Sequence, residues 1–443
     1  MTKDLTVGSP LKVLFKFSLP AIGGNLFQLF YTLADSIIVG RTIGEDALAA
    51  VGSTTIFVYF ILCFIQGSTT GFSILLGQYY GKKDGYGVKK SIATAYFLSF
   101  VFSIVITVAS VLLTPFILDF LKVPSEIRSD ASSYLLVILW GTWTTVFYNT
   151  VANTLRALGD SRTPLMYLVF SSLLNIVLDY VFIVPFGMGV SGAAWATVIS
   201  QGLSFLLCHF SSVRKFEEMR IPRSYYIPEK LYVRRHFNIG FLMGFQMSVM
   251  CIGQLAMQSS VNALGTFAIA GYTAATKVDQ LSVLVNNAFG TAIASYVAQN
   301  HGAGNVDRIR RGVNASLLIV EGSDVLMAIL TFLFIPFVVP LFVTSASPEV
   351  YQYAREFFYV TLPFYPVLGL ILIYRTTIQS MGNAIWPFVA CIVELVARCV
   401  AAFVLSDFFG YKGTVFASPL AWIGADLIVV PAYYLIMHKR LKE

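Results

Sequence analysis

The sequence predicts an all-α integral membrane protein, with twelve transmembrane helices in two six-helix bundles related by a pseudo-two-fold axis along the membrane normal. Three observations predict it. Of 443 residues, 57% are hydrophobic and only 12% charged, with a mean hydropathy of +0.74, whereas soluble domains carry about 25% charged residues. The apolar residues fall in continuous runs of the roughly 20 residues a helix needs to cross a bilayer, without the alternation of a membrane barrel. Finally, short motifs recur at nearly one offset in the two halves, the mark of an internal repeat.

Taken in order, the runs cover approximately 13–39, 47–77, 90–117, 131–157, 163–185, 190–212, 237–263, 267–299, 312–343, 352–381, 385–407 and 412–437. Several exceed one membrane thickness, so tilting or projection beyond the lipid is expected. The first run is too long for the apolar core of a cleaved leader and reads as a first span. Loop charge then orients the spans. One side carries Lys3, Lys12 and Lys16, Lys82 to Lys90, Arg156 and Arg162, the basic run from Arg214 to Arg235, Arg308 to Arg311, and Lys439 to Lys442. The other carries few: Arg41, Lys122, Arg128, Arg355 and Lys412. The positive-inside rule places both termini in the cytoplasm of a cell whose inner membrane the chain spans. An even number of spans requires the same.

The repeat divides the chain. ALAAVGSTT at 47–55 aligns with AIAGYTAAT at 268–276, and GQYYGKKD at 77–84 with AQNHGAGN at 298–305, both at an offset of 221. LRALGDSRTP at 155–164 aligns with IQSMGNAIWP at 378–387, at 223. Six spans separate the copies, so both face the same way, as in transporters built from parallel repeats. Residues 1–213 then form an N-terminal lobe, 214–236 a cytoplasmic linker with Pro222 and Pro228, and 237–443 a C-terminal lobe. Two similar bundles with a cleft between them suit alternating access.

Other classes find little support. A net charge of +7 spread over cytoplasmic loops is no nucleic-acid patch. The five cysteines are scattered in apolar runs without CxxC spacing and read as small buried hydrophobes. GQYYGKKDG misses the phosphate-loop pattern, because Gly77 and Gly81 enclose three residues and Lys83 stands where Ser or Thr is needed. There is no HExxH, and the four histidines are dispersed. No enzymatic activity, cofactor or obligate protein partner is expected.

Ionisable residues inside a membrane are expensive and are functional candidates by default. Asp35 lies in the first span, about a turn and a half before Gly40. Asn175 and Asp179 sit one turn apart on one face of the fifth. Thr197 is in the sixth, with Ala193 one turn earlier. At a 1.5 Å rise, Asp35, Asp179 and Thr197 fall about 7–11 Å from the outer ends of their spans. Two carboxylates, an amide and a hydroxyl at one depth could hold a bare cation with hard oxygen ligands, or share a proton. The repeat places Ala256, Arg398, Ala402 and Ser418 opposite Asp35, Asn175, Asp179 and Thr197. The second lobe thus keeps the scaffold and not the acids.

Further charges are candidates for a second-lobe cavity or for structure. Glu394 and Arg398, spaced i,i+4, can neutralise each other. Lys277 and Asp279, two apart, cannot face one another. Glu321 and Asp324, near Arg310 and Arg311 in sequence, read as interfacial; Arg375 and Asp426 find no role. Pro20 should kink the first span. A few of the many aromatics, lining a cleft, could bind organic cations through their ring faces.

At this point the sequence resembles the MATE (multidrug and toxic compound extrusion) family of secondary transporters, along nearly its whole length. The resemblance rests on SLPAIGGNLFQLFYTLADSIIVGRTIG at 18–44, GQYYGKKD at 77–84, LRALGDSRTP at 155–164 and LLNIVLDYVFIVPFGMGVSGAAWATVISQ at 173–201, taken together in that order. It implies export of small organic, often cationic, compounds in exchange for Na⁺ or H⁺. It also implies a cation site at Asp35, Asn175, Asp179, the Ala193 carbonyl and Thr197, and a bending role for Pro20. Where some members carry an acidic pair on spans 7 and 10, this sequence has Gln246, Gln254 and Gln258, and Arg375. A lipid-linked oligosaccharide flippase of the same broad superfamily is the alternative; such proteins often have extra spans and a strongly basic cleft.

Overall fold

The structure is a computed structural model that describes residues 4–42, 45–342 and 348–442, with the side chains of 29–42, 45–48, 282, 336, 338–342, 441 and 442 outside the described set. Among the described residues every regular element is helical. In chain order the helices are α1 (Pro10–Thr42), α2 (Glu45–Gly81), α3 (Gly85–Phe120), α4 (Arg128–Trp140), α5 (Thr142–Ala157), α6 (Arg162–Ile183), α7 (Gly189–Lys215) and α8 (Lys230–Ala263). They continue with α9 (Thr266–Ser282), α10 (Leu284–Gly302), α11 (Val306–Phe342), α12 (Pro348–Thr361), α13 (Tyr365–Ser380), α14 (Ile385–Val400), α15 (Ser406–Phe409), α16 (Tyr411–Val415) and α17 (Ala417–Lys442).

Nine helical stretches among the described residues are long and apolar enough to cross a membrane, or eleven if each of two bent pairs counts as one span. α1, a further helix of 33 residues, stands outside that count. The bent pairs are α4–α5 and α9–α10, each turning by 41°. The sequence predicts each as a single span, 131–157 and 267–299. At the first bend Gly141 packs directly on the side chain of Val198 in α7, where a Cβ would overlap it. Between α14 and α15 a π-helical turn at Ala401–Leu405 interrupts the regular ladder. Ser260 Oγ in α8 donates to the Ala402 carbonyl at 2.7 Å, giving that displaced backbone oxygen a partner. Large apolar side chains such as Leu112, Phe120, Phe337 and Leu427 point outward, as helices in a lipid solvent require.

The chain divides into two compact units, one of Met1–Asp4 with Leu19–Phe245, the other of Leu5–Ser18 with Gln246–Glu443. In the first, α2 and the opening turns of α8 approach through four glycines. A Cβ on Gly71 would stand 2.6 Å from the Gly240 Cα, and Gly67 and Gly244 leave no more room for one. Small residues at such a crossing let two backbones touch and gain dispersion contacts. The expected linker 214–236 is tied to this unit. Lys90, 3% exposed, reaches Glu229 at 2.8 Å and the Ile227 carbonyl at 2.7 Å, and Ser91 bonds His236 at 2.6 Å. Buried apolar clusters around Leu76, Ile92, Leu155 and Cys208, and around Ile65, Leu118 and Leu135, form its core.

The second unit takes in the start of the chain. Leu5 is 1% exposed; its N–H donates to Gln299 Oε1 at 3.0 Å, and its carbonyl accepts from Asn300 Nδ2 at 3.2 Å. Arg308 adds a bond to the Gly8 carbonyl at 2.9 Å. The core of this unit gathers around Phe289, Tyr296, Ile373 and Val429, with a second cluster around Tyr272, Phe358 and Tyr365.

The repeat is visible in the backbone of each unit separately. After α5, the N–H groups of Leu158, Gly159 and Asp160 donate to the carbonyls of Thr154, Arg156 and Leu155. After α13, those of Met381, Gly382 and Asn383 donate to Thr377, Gln379 and Ile378, the same three bonds at the offset of 223. Gly159 and Gly382 both occupy the left-handed region, φ 86° and 88°, where a helix ends without steric cost to glycine.

Candidate functional site

The first unit assembles most of the expected cation site from two neighbouring helices. α6 and α7 are joined by a short turn in which Gly187 and Gly189 take φ values of 61° and 60°. The run Gly192–Ala193–Ala194 then brings α7 against α6, and a Cβ on Gly192 would lie 3.1 Å from that of Phe182. This close pairing carries Asn175 and Asp179 of α6 to Ala193 and Thr197 of α7. Asp179, Asn175 and Ala193 are fully buried, at 0, 1 and 3% exposure, and Thr197 is half-buried.

One orientation of the Asn175 amide satisfies both its ends. Its Nδ2 donates to Asp179 Oδ2 at 3.0 Å and its Oδ1 accepts from the Thr197 N–H at 3.1 Å. Thr197 Oγ1 donates to the Ala193 carbonyl at 3.1 Å. Four of the five expected residues therefore form one set of contacts, from the Asp179 carboxylate through the Asn175 amide to the Thr197 N–H, with the Thr197 hydroxyl on the Ala193 carbonyl. Such a set offers hard oxygen donors and a single formal negative charge, which suits a monovalent cation or a proton. Among the described residues no group of three or more Asp, Glu, His or Cys is placed to hold a metal ion. The backbone of Asp35 runs in α1, and its side chain lies outside the described residues. Pro20 lies within α1, one residue past the point where the helix passes from the second unit to the first. It removes one main-chain hydrogen bond there.

The other candidates sort differently. Glu394 and Arg398 pair as their spacing implies, at 2.9 Å. Arg375, which had no expected role, completes a triad at 2.6 Å from the same carboxylate. All three are buried, with Glu394 3% exposed. Lys277 is exposed, while Asp279 is half-buried and accepts from Tyr365 Oη at 2.6 Å, so the two belong to different surroundings. Gln246 accepts from Gln379 Nε2 at 2.7 Å.

Asp324 gains a partner that the sequence did not reveal: it is 1% exposed and accepts from Asn286 Nδ2 at 2.8 Å. That partner comes from α10 and not from α11 itself. The legible signal was an amide, Asn286, inside an otherwise apolar run. Of the five cysteines, all are free and four are buried, in keeping with their reading as small hydrophobes.

A family model named MatE matches the chain twice, over residues 20–181 and 243–404, and the two starts stand 223 residues apart, the offset already seen in the helix ends. The probable multidrug resistance protein YpnP of Bacillus subtilis is 30% identical over 412 residues, covering 93% of this chain and 92% of its own. The probable multidrug resistance protein YoeA of the same organism is 27% identical, covering 96% and 93%. A solved MATE structure in a bent conformation superposes with a TM-score of 0.92 at 22% identity, over 99% of this chain and 98% of that one. From a doubled family match, a relative similar from end to end and a fold shared along the whole length, it follows that this chain is a member of the MatE family.

Proposed function

We propose that the chain is a secondary active exporter of small organic, often cationic, compounds, which leave the cell as Na⁺ or H⁺ enters. The observation that carries this reading is the buried Asp179–Asn175–Thr197–Ala193 set. An acid at 0% exposure inside a membrane helix bundle is expensive and marks a functional site by default. The relatives named as multidrug resistance proteins support the choice of cargo.

The mechanism follows from linkage. An inward monovalent cation gains about 2.3 kcal/mol per 100 mV of membrane potential, in addition to its concentration term. Asp179 supplies the charge that binds it, Asn175 holds that carboxylate in place, and Thr197 and the Ala193 carbonyl offer further oxygens. For coupling, the cation must bind one arrangement of the protein better than the other, and the exported compound must prefer the opposite one. Asp35 is proposed to join the site from α1, with Pro20 absorbing the change in that helix. Everted membrane vesicles loaded with a fluorescent organic cation test this. Separately imposed Na⁺ and pH gradients should each be tried, and one of them should drive transport that Asp35→Asn abolishes. Undiminished transport in that variant under both gradients would remove Asp35 from the mechanism.

A further inference from the structure

The second unit lacks counterparts of Asp35 and Asp179, yet it buries acids of its own. Glu321 and Asp324 of α11 are three residues apart and share a helix face. Glu321 Oε1 and Asp324 Oδ2 both converge on Gly369 of α13, where an ideal Cβ would lie 2.8 and 2.6 Å from them. Two atoms that close to one point are separated by at most the sum of those distances, so both carboxyls border the space the missing side chain leaves. Neither oxygen has a hydrogen-bond partner among the described residues.

A neutral group independently marks the place as one that lacks a ligand. Asn286 of α10 is 2% exposed and donates its Nδ2 to Asp324 Oδ1 at 2.8 Å. Its own Oδ1, necessarily beside that contact, has no partner among the described residues. A buried amide oxygen without a donor is costly. Here a buried amide oxygen and two carboxylate oxygens each lack a donor among the described residues.

The surrounding charges make the shortage larger. The helices packed on α11 are α9, α10, α12, α13 and α17, with α14 on α17; of the charges on α9, Lys277 is exposed and Asp279 accepts from Tyr365. Asp426 of α17 has both carboxylate oxygens buried and without a partner among the described residues, within electrostatic reach of Arg375, Glu321 and Glu394. Arg375 and Arg398 are both engaged by Glu394. Glu321, Asp324 and Asp426 thus have no ion-pair partner among the described residues, and such acids need protons or cations to lie in a low-dielectric interior.

We propose that Glu321 and Asp324, with Asn286 and the space above Gly369, form a second proton-binding site, in which one exchangeable proton is held between two carboxyls. A proton is the occupant proposed because two carboxyls bordering one space without a donor can share it directly, and Na⁺ is the alternative that the salt arm of the test separates. Facing carboxylates that cannot both stay ionised form a hydrogen-bonded acid pair. That the proton is taken up and released during transport rests on the export reading above; that the site holds a proton does not.

Infrared difference spectroscopy of the purified full-length protein, stepped in pH without any exported compound, tests the site directly. The wild type should show a protonated-carboxyl stretch that shifts in D₂O and titrates reversibly. A component of it should be absent from both Asp324→Asn and Glu321→Gln but kept in Asp426→Asn. Gly369→Ala, which puts a methyl group between the two acids, should displace or remove the same component. The proposal is overturned by a wild type without such a band, by a band unchanged in both acid variants, or by its loss on adding NaCl at constant pH, which would make it a Na⁺ site. The wild-type measurement decides even if a variant does not fold. Because no transport is read, a failed export assay leaves the result standing, and a missing band leaves the export reading untouched.

Discussion

Glu394 is the acceptor for two buried arginines, and removing it should be the most destabilising single change in the second unit. Its Oε2 meets Arg375 Nη2 at 2.6 Å and its Oε1 meets Arg398 Nη2 at 2.9 Å. The Nε of each arginine has no hydrogen-bond partner among the described residues, and Asp426, within electrostatic reach of Arg375, makes no ion pair with it. Glu394→Ala leaves two positive charges next to one another in a low-dielectric core. Breaking a buried pair by deleting one partner costs about 3–5 kcal/mol, and the second orphaned arginine places this case at the upper end of that range. Arg398→Met should cost far less. It deletes a charge but leaves Glu394 paired with Arg375, a neutral remnant, and the methionine refills most of the volume. A change of about 1 kcal/mol is expected there, of either sign. Both variants can be compared by thermal unfolding in detergent, with the triple variant Glu394→Ala/Arg375→Met/Arg398→Met recovering much of the loss. Equal melting of Glu394→Ala and Arg398→Met would refute the charge reasoning, since volume alone would then explain both.

Other expectations follow from single contacts. Asp160 Oδ1 accepts from the N–H groups of Arg162 and Thr163, both at 3.0 Å, at the start of α6, and its Oδ2 meets Lys215 at 2.9 Å. Burial alone would raise its carboxyl, but bonds from Thr163 and Lys215 outweigh it and hold Asp160 below the usual carboxylate range. A depressed acid stabilises above its unfolded value and loses that contribution as pH falls through the folded one. Asp160→Asn should therefore cost about 1–2 kcal/mol at neutral pH and nothing once pH has dropped below both values, as a melting-versus-pH series would show. Gly141→Ala sets a methyl group into the Val198 side chain and should cost about 1–3 kcal/mol; unchanged melting would mean the α4–α5 bend is not held by that contact. Ser260→Ala strips the partner from the Ala402 carbonyl and should cost about 1–3 kcal/mol, with hydrogen exchange accelerating over 401–405 rather than along α14.

The sequence made the class, the repeat and the pairing of the sixth and seventh helices legible for physical reasons. A chain this poor in charge has one solvent in which it can fold, and apolar runs of spanning length report it. Asn175, Asp179, Ala193 and Thr197 could be placed together because one-turn spacing fixes a helix face and a short connection fixes depth. The bend at Gly141 was not legible, because a glycine in a helical run says nothing until Val198 of another helix fills its space. Arg375 and Asn286 were missed for the same reason: their partners, Glu394 and Asp324, lie on other helices, and charge spacing within one helix cannot see across a bundle.

The claim on which the functional account rests is that the carboxylate of Asp179 binds the coupling cation. The direct measurement is efflux of a fluorescent organic cation from proteoliposomes containing Asp179→Asn, driven in turn by Na⁺ and by pH gradients, with melting checked alongside. Transport at background level under both gradients, from protein that still melts like the wild type, is the expected result. Gradient-driven efflux at the wild-type rate would show that the charge of Asp179 is no part of the coupling.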